Sequence, residues 1–352
     1  MKRRPTRADV AVRAGVSKTT VTYVLADRFD IAIPESTRQR VRSAAEQLGY
    51  QPHAAAKALA SGVTNAVTLA FPIRIGAHYA HVLQAFERTT NAHGYHMVAS
   101  TIGHMDIKNV EPDLRRLLDG LTDGVILVDP PAAFRTHIEH LLPADKPVVS
   151  VGVFTLPTID CIEVNLEQGA SDALAHLIAA GSRRIAFLGP GLPDATGVVD
   201  TFAASGHLDP RIFAYCKSMD QTGRKVEMIA GHPASRGASR EALREYVAAN
   251  GCPDAIFCFN DEIAIGANRA LGELGIRVPN DVMLVGCDGT EEGEYMTPPL
   301  STIAQPIDTM CQMAWRMMNR RLTDPSAARM HETVSAQFID RGSSTRELGN
   351  QA

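Results

Sequence analysis

The sequence predicts an all-α helix-turn-helix head joined to a larger α/β body, and three observations predict it. Two short helical patterns flank a glycine close to the N-terminus. From about residue 66 onward, short apolar runs alternate with helical stretches. The charge is split along the chain. Residues 1–62 carry eleven Lys/Arg against five Asp/Glu, a net of +6, whereas all 352 residues together carry −4, which leaves −10 on the remainder. A basic head on an acidic body suits a head that meets a polyanion while the body stays off it.

The head pattern runs from Thr6 to Leu25. Thr6 is placed to cap a first helix, and Asp9 three positions on completes a capping-box arrangement at its positive end. Val10, Ala11 and Ala14 form the inner face, with Ala11 small enough to let a second helix cross closely. Gly15 occupies the turn, where a positive φ is favoured. Ser17 caps the second helix, whose inner residues are Val21, Val24 and Leu25. Its outer face shows Lys18, Thr19, Thr22 and Tyr23, all able to hydrogen-bond base edges or phosphates. A third helix is predicted from about Pro34 to Leu48, stopped by Gly49. Its Arg38, Arg40 and Arg42 are expected at phosphates. The residues expected at DNA are Thr6, Ser17, Lys18, Thr19, Thr20, Tyr23 and Arg38, joined by Lys57 and Leu59 from the next segment.

That segment, Tyr50 to Gly62, has Pro52 as a natural first helical residue and Gly62 as a natural stop. The resulting helix of about ten residues is shorter than the ~12–15 that persist alone in water, so it should order only when docked. One reading is an alanine-rich linker. The other is a minor-groove wedge in which Leu59, the large apolar residue among alanines, opens a base step and bends the duplex.

The head resembles that of the lactose-repressor/galactose-repressor family. The resemblance is carried by Asp9-Val10-Ala11, by Ala14-Gly15-Val16-Ser17 with Thr19-Thr20-Val21, and by Pro34–Val41 and Leu48–Pro52. Ala56-Lys57-Ala58-Leu59-Ala60 is similar to the family's hinge helix, usually written with Arg and Ser where Lys57 and Ala58 stand. The resemblance implies that Lys18, Thr19 and Tyr23 read bases in the major groove. It also implies that Leu59 meets its two-fold mate in the minor groove of a palindromic operator.

The body's strand patterns are Val67–Phe71, His96–Ser100, Gly124–Asp129, Val148–Val151, Arg184–Gly189, Ala255–Phe259 and Val282–Cys287. Helical stretches lie around 78–92, 107–119, 166–180, 235–249 and 261–274. This rhythm argues for parallel sheets covered by helices, with ligands at the carboxyl ends of the strands. The body is also similar to the family's sensor domain, a two-lobed periplasmic-binding-protein-like fold, and the resemblance covers nearly the whole chain. It carries Gly181–Gly189, Asn260-Asp261, Asp281–Asp288, Pro298–Pro306 and Phe338–Ser344.

The organisation expected is a DNA-binding domain over 1–50, a hinge helix and linker over 51–64, a two-lobed effector-binding and dimerisation domain over 65–345, and a tail over 346–352. Lobe 1 is expected at about 65–162 and 297–325, and lobe 2 at about 163–296 and 326–345. The resemblance places effector contacts at His78, Tyr79, Asp129, His232, Asn260 and Asp288. Where most relatives carry an arginine this chain has Asp200, and Val164 replaces the Asp usually found before Asn165. An acidic residue in place of a basic one disfavours anionic ligands. The effector is therefore expected to be an uncharged sugar or polyol, or a cationic compound.

Catalytic chemistry finds little support. There is no G-x-S-x-G elbow and no Walker loop, and Gly189-Pro190-Gly191 lacks the third glycine of a dinucleotide fingerprint. His137-x-x-His140 has helical metal spacing but sits in a polar stretch where surface histidines are common. No cofactor, metal or membrane partner is expected. Six scattered cysteines without a C-x-x-C pair read as reduced core thiols, and the basic start lacks the apolar run of a secretory signal, so a cytoplasmic location is expected. A ligand-gated repressor, a homodimer on double-stranded DNA, explains head, hinge and rim together. The alternatives, a solute-binding protein or a cytoplasmic sugar-modifying enzyme, explain the body alone.

Overall fold

The computed structural model describes residues 5–26, 28–50, 62–72, 76–102, 107–130, 140–142, 146–189, 209–231 and 235–346. The chain divides into two compact units, residues 1–66 with 121–123, and 67–120 with 124–352.

In the first unit three helices pack together: α1 (Arg7–Ala14), α2 (Lys18–Leu25) and α3 (Glu35–Leu48). The local signals act as expected. Thr6 and Asp9 form a reciprocal capping box, and Gly15 takes the left-handed conformation at φ 64°. Ser17 accepts from the Thr20 amide at the start of α2. Val10, Ala11, Ala14, Val21, Val24, Val41, Ala44 and Ala45 make one small core. Within this unit Asp123 holds the segment that follows residue 62. Its Oδ1 accepts from the Thr64 amide and hydroxyl at 2.8 and 2.7 Å, and its Oδ2 from the Asn65 amide at 2.8 Å.

The body holds two six-stranded sheets. The first contains β1 (Ala66–Pro72), β2 (His96–Ile102), β3 (Gly124–Val128), β4 (Val148–Gly152), β5 (Asp160–Asn165) and β11 (His331–Ser335), in the order β11-β5-β4-β3-β1-β2. The second contains β6 (Ile185–Gly189), β7 (Glu227–Ala230), β8 (Ala255–Cys258), β9 (Met283–Asp288), β10 (Ser301–Ala304) and β12 (Gln337–Ile339), in the order β12-β10-β9-β8-β6-β7. The ladders β1–β3, β3–β4, β4–β5, β5–β11, β6–β7, β6–β8, β8–β9 and β9–β10 are parallel, whereas β12 runs antiparallel to β10. Strands β3, β4, β6, β8 and β9 are buried along their whole length, which is why they read as unbroken apolar runs.

The helices of the body are α4 (Ala77–Ala92), α5 (Ile107–Leu118), α6 (Glu167–Ala179), α7 (Pro210–Gln221), α8 (Arg236–Asn250), α9 (Asp261–Glu273), α10 (Glu291–Glu294) and α11 (Ile307–Thr323). Among the described residues no helix is long and apolar enough to cross a membrane.

The expected lobe boundaries need correction. Residues 301–304 pair with β9, so they belong to lobe 2 and not to the lobe 1 segment 297–325. Residues 331–335 pair with β5 in lobe 1 and not with lobe 2. The chain therefore passes between sheets after Asn165, around Gln305-Pro306 and at Ala336, rather than near 162, 296 and 326. Strand pairing decides this, and a four-residue strand leaves too little periodicity to assign it to one sheet or the other.

Candidate DNA-reading and effector sites

On the head, Lys18 and Thr19 stand exposed in the first turn of α2, where unpaired amides and the helix dipole favour a phosphate. Ser17 and Thr20 are tied together, their hydroxyls 2.9 Å apart, so both serve the helix start before any DNA contact. Thr6 is likewise engaged with Asp9. Tyr23 is half-buried on the same helix. Arg7, which the sequence reading passed over, reaches this face: its Nη1 donates to the Thr22 hydroxyl at 3.0 Å.

Arg38 is not a surface cation. It is 4 % exposed; its Nη2 donates to the carbonyls of Arg28 and Ile31 at 2.8 and 3.0 Å, and its Nε to that of Ile33 at 3.3 Å. The guanidinium also lies 5.0 Å from the centre of the Phe29 ring. The expectation of a phosphate contact is corrected: the charge gathers the carbonyls of the loop before α3. Lys57 and Leu59 fall outside the described residues.

In the body, the carboxyl ends of both sheets contribute to one cleft. His78 and Tyr79 lie in the first turn of α4, in lobe 1. Asp129 follows β3 with φ 42°. Its Oδ1 accepts from the Val153 and Phe154 amides at 2.7 and 3.3 Å, and its Oδ2 from the Tyr79 hydroxyl at 3.2 Å. Gly152 makes room for it, since a Cβ there would come within 2.2 Å of Oδ1. Most of Asp129's accepting capacity is thus used inside its own lobe.

From lobe 2, Asp288 ends β9 at φ 137° and accepts from Gln305 Nε2 at 3.0 Å. His78 Nδ1 faces it across the cleft at 3.8 Å and has no hydrogen-bond partner among the described residues. This is not an ion pair at neutral pH, because burial pulls His78 down to about 4. Burial also holds the Asp288 carboxyl well above the usual carboxylate range, with the neighbouring Asp261 adding to the effect and Arg211 opposing it. Burial raises Asp129 as well, against the hydrogen bonds it accepts. Asn260 caps α9 through the Ile263 amide at 2.9 Å. Asp200 and His232 fall outside the described residues, as does His137 of the histidine pair.

The sequence reading missed Arg211, Phe259 and Glu262. Arg211 grips Asp209 through Nε and Nη2 at 2.8 and 2.6 Å, donates from Nη1 to the Phe259 carbonyl at 2.8 Å, and stacks 3.6 Å from that ring's centre. Asp209-Pro210 is an N-cap followed by proline at the first helical position, a signal that would have found α7. Glu262 accepts from Arg236 at 2.5 and 2.9 Å and from the Ala77 amide at 3.4 Å, so it spans from lobe 2 to the start of α4. Among the described residues no three His, Cys, Asp or Glu gather in a way that could hold a metal ion.

Residues 6–53 match the model of bacterial regulatory proteins of the lacI family, and residues 174–344 match that of the periplasmic binding protein-like domain. The chain is 30 % identical over 338 residues to the HTH-type transcriptional repressor PurR of Pectobacterium carotovorum subsp. carotovorum (strain PC1), covering 93 % of this chain and 94 % of that one. The chain belongs to the LacI family. It is 29 % identical over 350 residues to the HTH-type transcriptional regulator GntR of Escherichia coli (strain K12), with 97 % of each chain covered. Its fold matches the Lac repressor dimer bound to operator and the anti-inducer ONPF, with a TM-score of 0.80 at 24 % identity, over 98 % of this chain and 100 % of that one. It also matches a CelR–cellobiose complex, with a TM-score of 0.64 at 24 % identity, over 97 % and 100 %. This LacI-family member is a transcriptional regulator with a DNA-binding and an effector-binding domain, and its relatives are regulators rather than enzymes.

Proposed function

We propose that this regulator is a repressor whose operator affinity is set by an uncharged sugar or polyol held in the cleft between the two lobes. The observation that carries this reading is His78, buried and neutral, its Nδ1 unpartnered and facing Asp288. A hydroxyl group donates to one such partner and accepts from another, so it suits a cleft of carboxyl oxygens and a neutral imidazole. A phosphate or carboxylate would need a cation with spare N–H groups. Arg211 already commits its Nε, Nη1 and Nη2 to Asp209 and Phe259. The cellobiose in the CelR complex is a ligand of the proposed kind.

Within this reading Tyr79, Asp129, Asn260 and Asp288 contact the effector, with Asp200 and His232 as further contacts. Lys18, Thr19, Thr20 and Tyr23 face DNA, with Lys57 and Leu59 in the hinge. Residues 1–50 are the DNA-binding domain, 51–64 the hinge and 65–345 the sensor. The protein works as a cytoplasmic homodimer reading inverted half-sites about one helical turn apart. Calorimetric titration against neutral sugars and polyols, in parallel with sugar phosphates and sugar acids, tests the ligand class. Saturable binding of a neutral compound that is lost in Asp288→Asn supports it; a tight anionic ligand overturns it.

A further inference from the structure

Arg7 opens α1, at the positive end of the helix dipole, where a cation is disfavoured. The residue is exposed, yet its side chain crosses to α2, where Nη1 donates to the Thr22 hydroxyl at 3.0 Å. That hydroxyl is itself fixed, since it donates to the Lys18 carbonyl at 3.0 Å. An exposed hydrogen bond contributes little to stability, and the head core of Val10, Val21, Val24 and Val41 is closed without it. Holding the head together therefore does not explain a cation in this place.

Thr22 follows Lys18 by four residues and Thr19 by three, so the three share one face of α2. The Arg7 guanidinium stands on that face, a turn beyond the helix start. One of its N–H groups is spent on Thr22, and no carboxylate holds the rest of the planar fork among the described residues. A phosphate accepts a cation from many directions, whereas a guanidinium aimed by a fixed hydroxyl suits a partner with directional acceptors. Guanine presents two, O6 and N7, on its major-groove edge at the spacing of the arginine fork. We propose that Arg7 reads a guanine in each half-site, and that Thr22 is its positioning residue and not a base contact. The inference rests on the reading that α2 enters the major groove.

Selection of bound duplexes from a random-sequence library by the full-length protein tests both. The parent should recover a palindrome with a guanine at one position of each half-site that Arg7→Ala no longer prefers, the other positions being unchanged. Replacing that guanine by 7-deazaguanine removes N7; it should weaken binding of the parent roughly tenfold and leave Arg7→Ala unaffected. Thr22→Val keeps the side-chain shape and removes the acceptor, so its preference at the same position should fall part of the way toward that of Arg7→Ala. The same motif recovered by parent and Arg7→Ala overturns the proposal. So does an Arg7→Ala variant that loses affinity equally on all sequences with a shallower salt dependence, which marks a phosphate contact. A parent that recovers no shared sequence overturns the groove reading itself, and this inference with it.

Discussion

At the scale of single residues, the cleft is defined by protonation. A histidine in the unfolded chain titrates near 6.5, but buried His78 is held down to about 4. On acidification the unfolded chain takes up this proton first. The resulting contribution to stability is complete above about 6.5 and is lost as pH falls toward 4. Asp288, Asp129 and Asp261 are raised by burial and act in the opposite sense, their contributions being lost as pH rises. Comparison with His78→Gln isolates the histidine: denaturant unfolding at a series of pH values should show less acid loss in the variant. Identical slopes would mean that His78 is solvated in the folded protein. Arg38 gives a second residue-level expectation. Arg38→Ala strips three carbonyls of their donor and should destabilise the head by about 2–3 kcal/mol. It should leave the salt dependence of operator binding unchanged, whereas Lys18→Ala should reduce the slope by roughly one counterion. A reduced slope in Arg38→Ala would return that residue to the DNA face.

At the scale of elements, what could be read in advance depended on how local the cause was. Caps and turns are local, so Thr6, Gly15, Ser17 and Gly49 announced the head helices, and the fully buried strands β3, β4, β6, β8 and β9 announced themselves as apolar runs. The strands β7, β10, β11 and β12 span three to five residues each and include polar positions, so only pairing defines them. The site divided in the same way. His78, Tyr79, Asp129 and Asp288 sit at strand ends or helix starts, where the α/β pattern directs attention. Glu262 was missed because its contact to the Ala77 amide spans 185 residues, and Arg211 because only the fold sets its pair with Asp209 against Phe259, 48 residues on. Glu262 links two elements directly, α9 and the first turn of α4. Glu262→Gln should weaken closure of the cleft and lower effector affinity by up to about fivefold, the range for a partly exposed ion pair. Isothermal titration checks this, and unaltered affinity would assign Glu262 to lobe 2 alone.

At the scale of the whole molecule, the proposed repressor needs a hinge through which binding at the cleft would reach DNA. Effector affinity can control the operator only through an element with two states of nearly equal free energy. In the proposed mechanism the segment from Pro52 to Gly62 is that element, expected from its composition alone: about ten alanine-rich residues, against the ~12–15 that a helix needs to persist alone in water. Leu59 is its large apolar residue, and in the proposed dimer two copies would enter the minor groove together. Leu59→Ala raises helix propensity and removes the wedge, so its effects on helix formation and on DNA run in opposite directions. If the wedge matters, specific operator affinity and DNA bending fall together while effector affinity at the cleft is unchanged. If helix stability alone matters, the alanine variant binds as well as the parent or better. Gel-shift measurement of bend angle and affinity on one operator, beside calorimetry with the effector, separates the two outcomes; a variant that bends its operator like the parent removes Leu59 from the mechanism.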